Sequence, residues 1–259
     1  MARYQVILAY NGTDFVGSQR QAKFRTVQGE LEKALRKLGW SERSALLAGR
    51  TDTGVHATGQ VASFDLDWGH ADGDLLRAMN ANLPADMAAR DVRIAPPNFH
   101  PRFDATSRSY RYRLFCQQVR DPLREKSAWR VWPKIDGNEL QKVAPLFVGQ
   151  HDFASYGTPP RAGGNTVRTV MSSSWQVKDD EWRYDVQANA FLYRMVRRLV
   201  FVQVAVAQGK ISVEAVARSL AGQAERLERS ELPSGLAPAH GLTLVEVAYP
   251  PEMSLGHIE

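Results

Sequence analysis

Hydrophobic and polar residues alternate over 3–10, placing Tyr4, Val6, Leu8 and Tyr10 on one face, and this period of two predicts a strand that Asn11-Gly12 ends. The period then lengthens. Val27, Leu31, Ala34, Leu35 and Leu38 recur at helical spacing behind Thr26, a residue suited to capping, so an amphipathic helix is expected over 27–38. A short apolar run follows at 44–48, alternation returns at 60–65, helical character appears over 72–79 and is closed by 80–84, and 88–95 reads as a strand. The order to that point is strand, helix, strand, strand, helix, strand. Pro96-Pro97 breaks the pattern, and the half-chain boundary is expected near Ala105, giving segments 1–105 and 106–259.

The second segment opens with the clearest alternation in the chain, over 109–116. Tyr110, Tyr112, Leu114 and Cys116 share one face and Arg111, Arg113 and Phe115 the other. Helical spacing over 138–148 uses Leu140, Val143, Ala144 and Phe147, but Pro145 must kink or divide that helix. Strands over 169–177 and 182–188 suggest a hairpin across 178–181. The strongest helix of this half is expected over 191–208, a weaker one over 212–221, and a closing strand over 242–249. The second half thus roughly repeats the order of the first, without visible sequence identity between them. The class is α+β, and two such units with mostly antiparallel pairing can join edge to edge into one sheet with helices on one face.

Composition narrows the possibilities. The apolar fraction of 44% is ordinary for a globular chain, and no apolar segment is long enough to span a bilayer. The N-terminus enters strand-like alternation at once, without the apolar core of a signal peptide, so a soluble, cytoplasmic protein with no membrane association is expected. Cys116 is the single cysteine, which excludes an internal disulfide and a cysteine-rich zinc site. The six histidines are scattered without metal-ligand spacing, and no Walker loop, dinucleotide fingerprint or nucleophile elbow is present, so neither a metal nor a nucleotide cofactor is expected. Lys plus Arg exceeds Asp plus Glu by five. Arginines cluster over 102–113, at Arg161 and Arg168, and at Arg194, Arg197 and Arg198, while acids dominate 65–74, so a segregated basic surface suited to nucleic acid is expected.

One stretch abandons every regular pattern. Residues 48–60 read Ala-Gly-Arg-Thr-Asp-Thr-Gly-Val-His-Ala-Thr-Gly-Gln and link two predicted strands. Gly49, Gly54 and Gly59 permit tight or left-handed backbone, and such a loop can hold Arg50, Asp52 and His56 at the end of a sheet. Taken alone, an aspartate between threonines is more often a turn residue bonding its own backbone.

Gly49-Arg50-Thr51-Asp52-Thr53-Gly54-Val55-His56-Ala57 resembles the signature of the tRNA pseudouridine synthase A family, also called TruA. Further blocks match in the same order. They are Tyr10-Asn11-Gly12, Gly17-Ser18-Gln19-Arg20-Gln21, Thr26-Val27-Gln28, Asn80-Ala81-Asn82-Leu83-Pro84 and Phe99-His100-Pro101-Arg102-Phe103-Asp104-Ala105, then Arg108-Ser109-Tyr110-Arg111-Tyr112, Asn189-Ala190-Phe191, Met195-Val196-Arg197 and Ala239-His240-Gly241-Leu242. Together they cover nearly the whole chain. The resemblance implies two related half-domains of ferredoxin or RRM type sharing one continuous, mostly antiparallel sheet, with a basic cleft between them. It also implies conversion of uridine to pseudouridine at positions 38, 39 and 40 of the tRNA anticodon arm, without cofactor, by a homodimer.

That reaction breaks the bond from C1' to N1 and joins C1' to C5, which calls for an ionised carboxylate beside a flipped nucleotide. By its place in the motif, Asp52 takes this role. A buried carboxylate protonates unless a cation opposes desolvation. Arg50, two residues away, can point the same way and is also a candidate RNA contact. Arg194, Arg197 and Arg198 fall at offsets of three and four on one helix face, and the resemblance assigns Arg197 to the aspartate, leaving a solvated face for Arg198 and Arg194. Tyr110 matches the tyrosine placed against the target base, where a ring can stack on uracil. Tyr112 reads as core. Leu242 matches the active-site wall, although a simple core leucine fits as well. His56 shapes the loop or touches backbone. Arg20, Lys23, Arg25, Arg102, Arg108, Arg111 and Arg161 are candidates for phosphate contacts, which position RNA without reading sequence. Ser18, Arg194 and Phe201 depart from the family's usual tryptophan, histidine and glycine. The rival reading is a basic RNA-binding or chaperone protein that alters nothing.

Overall fold

The computed structural model describes residues 1–221 and 232–253. Among them the chain forms ten strands and five α-helices, an α+β architecture in which most strand pairs are antiparallel, and it divides into two compact units. Unit 1 comprises residues 1–108 and 243–259, and unit 2 comprises 109–242.

In unit 1, β1 (Ala2–Tyr10) lies between β4 (Met87–Ile94) and β3 (His56–Leu66), antiparallel to both. The apolar face expected over 3–10 is dry, with Tyr4, Val6, Leu8 and Tyr10 all buried, and Gln5 on the opposite face is buried as well. They share the core with Val27, Leu31, Ala34 and Leu35 of α1 (Val27–Lys37) and Leu75 and Met79 of α2 (Asp72–Asn82). α1 begins where the sequence places it, because the Thr26 side chain accepts from Gly29 N and satisfies an amide the helix leaves free. β2 (Leu46–Leu47) pairs with β3 at Ser63 and Ala62. In β3, residues 60–64 are buried in succession rather than alternately, so both faces of this interior strand are covered.

The final strand, β10 (Leu242–Ala248), runs parallel to β3, with Thr243 opposite His56 and Leu244 opposite Ala57. This pairing returns the described residues 243–253 to unit 1, whereas the halves read from the sequence leave the closing strand in the second segment. Of the loop glycines, Gly54 is left-handed at φ 80°, and Gly59 lets β10 approach, since a Cβ there would lie 2.0 Å from Val245 O. Gly49 answers to neither need.

Unit 2 orders its strands β5 (Ser107–Cys116), β9 (Glu181–Ala188), β8 (Val167–Lys178) and β7 (Gly149–Asp152), with β6 (Trp129–Val131) parallel to β5. β8 and β9 form the expected hairpin, closed by Asp179 and Asp180 with Lys178 opposite Glu181. Pro145 divides the helix over 138–148 into α3 (Gly137–Val143) and a 3-10 turn (Ala144–Phe147). α4 (Met195–Ala207) is apolar almost all round because it is buried almost all round, and Gln203 on it accepts a bond from the indole of Trp175 at 2.8 Å. α5 (Val213–Leu220) follows, capped by Ser212.

α4 corrects the sequence reading. It starts at Met195, not at 191, because Tyr193 is engaged first: its N–H donates to Thr158 O at 3.0 Å and its carbonyl accepts from Thr158 N at 3.3 Å. The chain turns into the helix through Arg194 at φ 64°. Arg194 is therefore the cap, with its guanidinium 4.7 Å from the Tyr193 ring, and does not share a helix face with Arg197 and Arg198.

Candidate active site

The loop over 48–55 joins β2 to β3 and is anchored along its length within unit 1. At its root, Ala48 N donates to Val61 O at 2.8 Å. The buried amide of Gln60 then spans Gly49, donating to its carbonyl at 2.9 Å and accepting from its N–H at 3.2 Å. Thr51 is buried with each polar group engaged. Its N–H donates to Ser18 Oγ at 2.8 Å, its carbonyl accepts from Ser18 N at 3.0 Å, and its hydroxyl lies 2.9 Å from that of Tyr10. Burial pushes the Tyr10 phenol up to about 12, against the pull of its bonds to Thr51 and Gln60, so it serves as a neutral hydroxyl.

Beyond Thr51, Val55 N donates to Asp52 O at 3.1 Å and closes a turn whose third residue is the left-handed Gly54. Gly12 N donates to His56 Nδ1 at 3.0 Å, and a Cβ on residue 12 would lie 2.0 Å from Val55 O. His56 is thus a loop anchor. The backbone on both sides of Asp52 is held by groups outside the loop, Thr51 by Ser18 and Gly54 N by the Phe15 carbonyl at 3.4 Å, while Asp52 is half-buried and Arg50 is exposed. Such support is what a reacting carboxylate requires, because small misplacements of a reacting group cost large factors in rate.

In unit 2, Arg197 stands in the first turn of α4, half-buried. Its Nε donates to Ala237 O at 2.8 Å, and Ala237 N donates to Arg197 O at 3.2 Å. The next residue, Pro238, accepts from the Tyr112 hydroxyl at 2.8 Å. Burial raises the Tyr112 phenol well above its ordinary range, even with the charge of Arg197 lowering it. Tyr112 is thus a buried, neutral support for residues 237–242, which hold Arg197 and end on the buried Leu242. Tyr110 is half-buried on β5, its ring edge-to-face with Phe191 at 5.1 Å.

The candidate phosphate contacts differ in what they hold within the chain. Arg20 bonds the buried Glu32 at 2.6 Å and the carbonyl of Arg43 at 3.0 Å. Arg108 reaches the carbonyls of Arg102, Ala105 and Ala48 at 2.6, 3.3 and 3.4 Å. Arg111 pairs with Asp185 at 2.8 Å, and Arg25 with Asp86 at 2.7 Å. These four already hold protein groups, whereas Arg50, Lys23, Arg102 and Arg161 are exposed. Arg198 is no solvated arginine: it is half-buried, donates to the carbonyls of Pro233 and Gly235, and has its pKa lowered by burial, which the nearby Tyr156 only partly offsets. The supports Ser18, Tyr10, Gln60 and Tyr112 were not singled out from the sequence as functional. Among the described residues, no group of three or more His, Cys, Asp or Glu is placed to hold a metal ion.

The family model described as tRNA pseudouridine synthase matches residues 6–104 and 143–250. The chain belongs to the tRNA pseudouridine synthase family. It is similar to tRNA pseudouridine synthase A of Chloroflexus aurantiacus (strain ATCC 29366 / DSM 635 / J-10-fl), with 41% identity covering 97% of this chain and 90% of that one. The enzymes of the same name from Geobacter sp. (strain M21) and Limosilactobacillus fermentum (strain NBRC 3956 / LMG 18251) are 38% and 36% identical, each over 96% of this chain and over 100% and 96% of their own lengths. As a family member the chain is an isomerase acting on tRNA uridine. Asp52, Arg50, Arg20, Arg197 and Leu242 fall within the matched segments, and Tyr110, Arg108 and Arg111 between them.

Proposed function

We propose that this synthase isomerises uridine to pseudouridine at positions 38, 39 and 40 of the tRNA anticodon arm, as a cytoplasmic homodimer and without a cofactor. Asp52 is the nucleophile. The reaction cleaves C1'–N1 and forms C1'–C5, while C5 loses its proton and N1 gains one, so atoms balance with no redox partner. The family resemblance further assigns Arg197 to the catalytic set, Tyr110 to the target base, Leu242 to the wall and Arg50 to RNA. The observation that carries the reading is the bracing of Thr51 by Ser18 and Tyr10 on one side of a half-buried Asp52 and of Gly54 by the Phe15 carbonyl on the other. A protein that only binds RNA has no use for a carboxylate held in this way facing phosphates.

The test is carbodiimide primer-extension mapping on unmodified tRNA transcripts with the native protein and with Asp52→Asn. Signals confined to the anticodon arm and absent with the variant are expected. Signals elsewhere in the tRNA would overturn the substrate positions, equal signals from the variant would overturn the nucleophile, and RNA binding without product from either protein would favour the chaperone reading.

A further inference from the structure

Phe103 is 75% exposed, the most exposed phenylalanine, tyrosine or tryptophan among the described residues, yet hydrogen bonds pin the loop that carries it. Phe103 N and Asp104 N both donate to His100 O, at 3.2 and 3.1 Å, and His100 N donates to Asp104 Oδ2 at 2.8 Å. The His100 imidazole packs against the Phe103 ring, centroids 4.2 Å apart and planes 33° from parallel. The Arg102 guanidinium lies 5.8 Å from the same ring. Two outside groups hold the loop: the Tyr249 hydroxyl donates to Pro101 O at 2.7 Å, and Arg108 Nη2 donates to Arg102 O at 2.6 Å.

Arg108 also reaches Ala48 O, at 3.4 Å, at the root of the loop that carries Asp52. One guanidinium therefore joins the Phe103 loop to the catalytic loop, all within unit 1. Leaving a large apolar ring in water on a pre-organised loop forfeits burial, and a ligand can recover it without an ordering cost. A flat ring backed by an imidazole and flanked by a cation suits a flat, electron-rich ligand attached to an anion, the chemistry of a nucleobase and its phosphate.

We infer that Phe103, with His100 against it and Arg102 beside it, is a stacking platform for an unpaired base of the substrate RNA other than the uridine being isomerised, and that Arg108 is a positioning residue tying this platform to the catalytic loop. The inference rests on the proposed RNA substrate.

Binding of a fluorescently labelled anticodon-arm RNA to the full chain carrying Asp52→Asn tests it, alone and combined with Phe103→Ala, Phe103→Leu or Phe103→Trp. Phe103→Ala and Phe103→Leu are expected to weaken binding about 5- to 20-fold with the salt slope unchanged, and Phe103→Trp to restore it to within about twofold, because stacking needs a π face and not merely apolar bulk. Arg102→Ala is expected to lower the salt slope by about one unit. Thermal midpoints measured in parallel check that the exposed substitutions leave the fold intact. Unchanged binding by Phe103→Ala, or full rescue by leucine, overturns the platform. A change in sedimentation on Phe103→Ala overturns it in favour of a contact with a second copy. Product formation by the native chain is followed on the same RNA. Native product with unaltered Phe103→Ala binding refutes the platform alone, absent product with Phe103-dependent binding refutes only the proposed activity, and absence of binding throughout refutes both.

Discussion

Replacing Ser18 with alanine removes the acceptor of the Thr51 amide and nothing else of size. The Ser18 N–H to Thr51 O bond, at 3.0 Å, survives because it is made by backbone, so the two segments remain in register. The Thr51 N–H, which sits 2.8 Å from Ser18 Oγ in a buried residue, is left without that partner. An unsatisfied buried donor costs about 1–3 kcal/mol. If the loop holds its place, a loss of about 2 kcal/mol falls on global stability and lowers the thermal midpoint by about 4–8 °C for a chain of this size. If the loop escapes by opening, the loss falls on the population with Asp52 in position and, with Asp52 as the proposed nucleophile, the rate drops by up to about 30-fold, since every 1.4 kcal/mol is about a factor of ten. The half-buried Asp52 is covalently next to Thr51, so both effects are expected, with the rate carrying the larger share. Single-turnover release of tritium from C5-labelled uridine in tRNA reads the rate, calorimetry reads stability, and hydrogen exchange at the Thr51 amide reads the local opening. A variant with native rate, native midpoint and native exchange at Thr51 would refute the claim that Ser18 pins this loop.

Arg20→Met should destabilise the chain by about 2 kcal/mol, because Glu32 is fully buried and would retain only the more distant Arg36, at 3.7 Å, as a cationic partner. A second change, Glu32→Gln, should recover much of the melting temperature, and a stable Arg20→Met protein would mark Arg20 as a free RNA contact instead. Gly235→Ala should cost about 1–3 kcal/mol by overpacking, since a Cβ there would lie 2.4 Å from the Phe201 ring in a backbone at φ 141°, and Phe201→Leu in the same chain should relieve part of it in a urea titration. Tyr10 and Tyr184 are pushed up to about 12 by burial, against hydrogen bonds that act to lower them. Their phenols ionise near 10 in the unfolded chain, so the stability they contribute is complete below pH 10 and is lost as pH rises towards 12, about 2–3 kcal/mol each. Urea midpoints followed with tyrosinate absorbance test this, and a midpoint unchanged between pH 10 and pH 12 would contradict it.

What was legible in the sequence is what short-range physics decides. The start of α1 follows from Thr26 and a helical period in the residues after it, the break after α3 from a proline that can neither donate nor fit, and the hairpin of β8 and β9 from two alternating runs across a polar turn. Each depends on residues a few positions apart. The Asp52 loop was legible for a different reason, because its glycines and reactive side chains interrupt every period at once and match a family motif. The remainder depends on partners far along the chain. Arg194 is left-handed because Tyr193 pairs with Thr158, and no helical period registers that bridge. Arg20 belongs to Glu32, Arg111 to Asp185, and Arg198 to the carbonyls of Pro233 and Gly235, although each reads in the sequence as one more surface cation. The supports of Asp52 are the same case: Ser18, Tyr10 and Gln60 lie in three separate segments, and only folding brings their hydroxyls and amide to Gly49 and Thr51. Periodicity records which face of an element is dry, a property each residue has by its own chemistry. The partner of a buried polar group is set by register and packing, which only the tertiary structure decides.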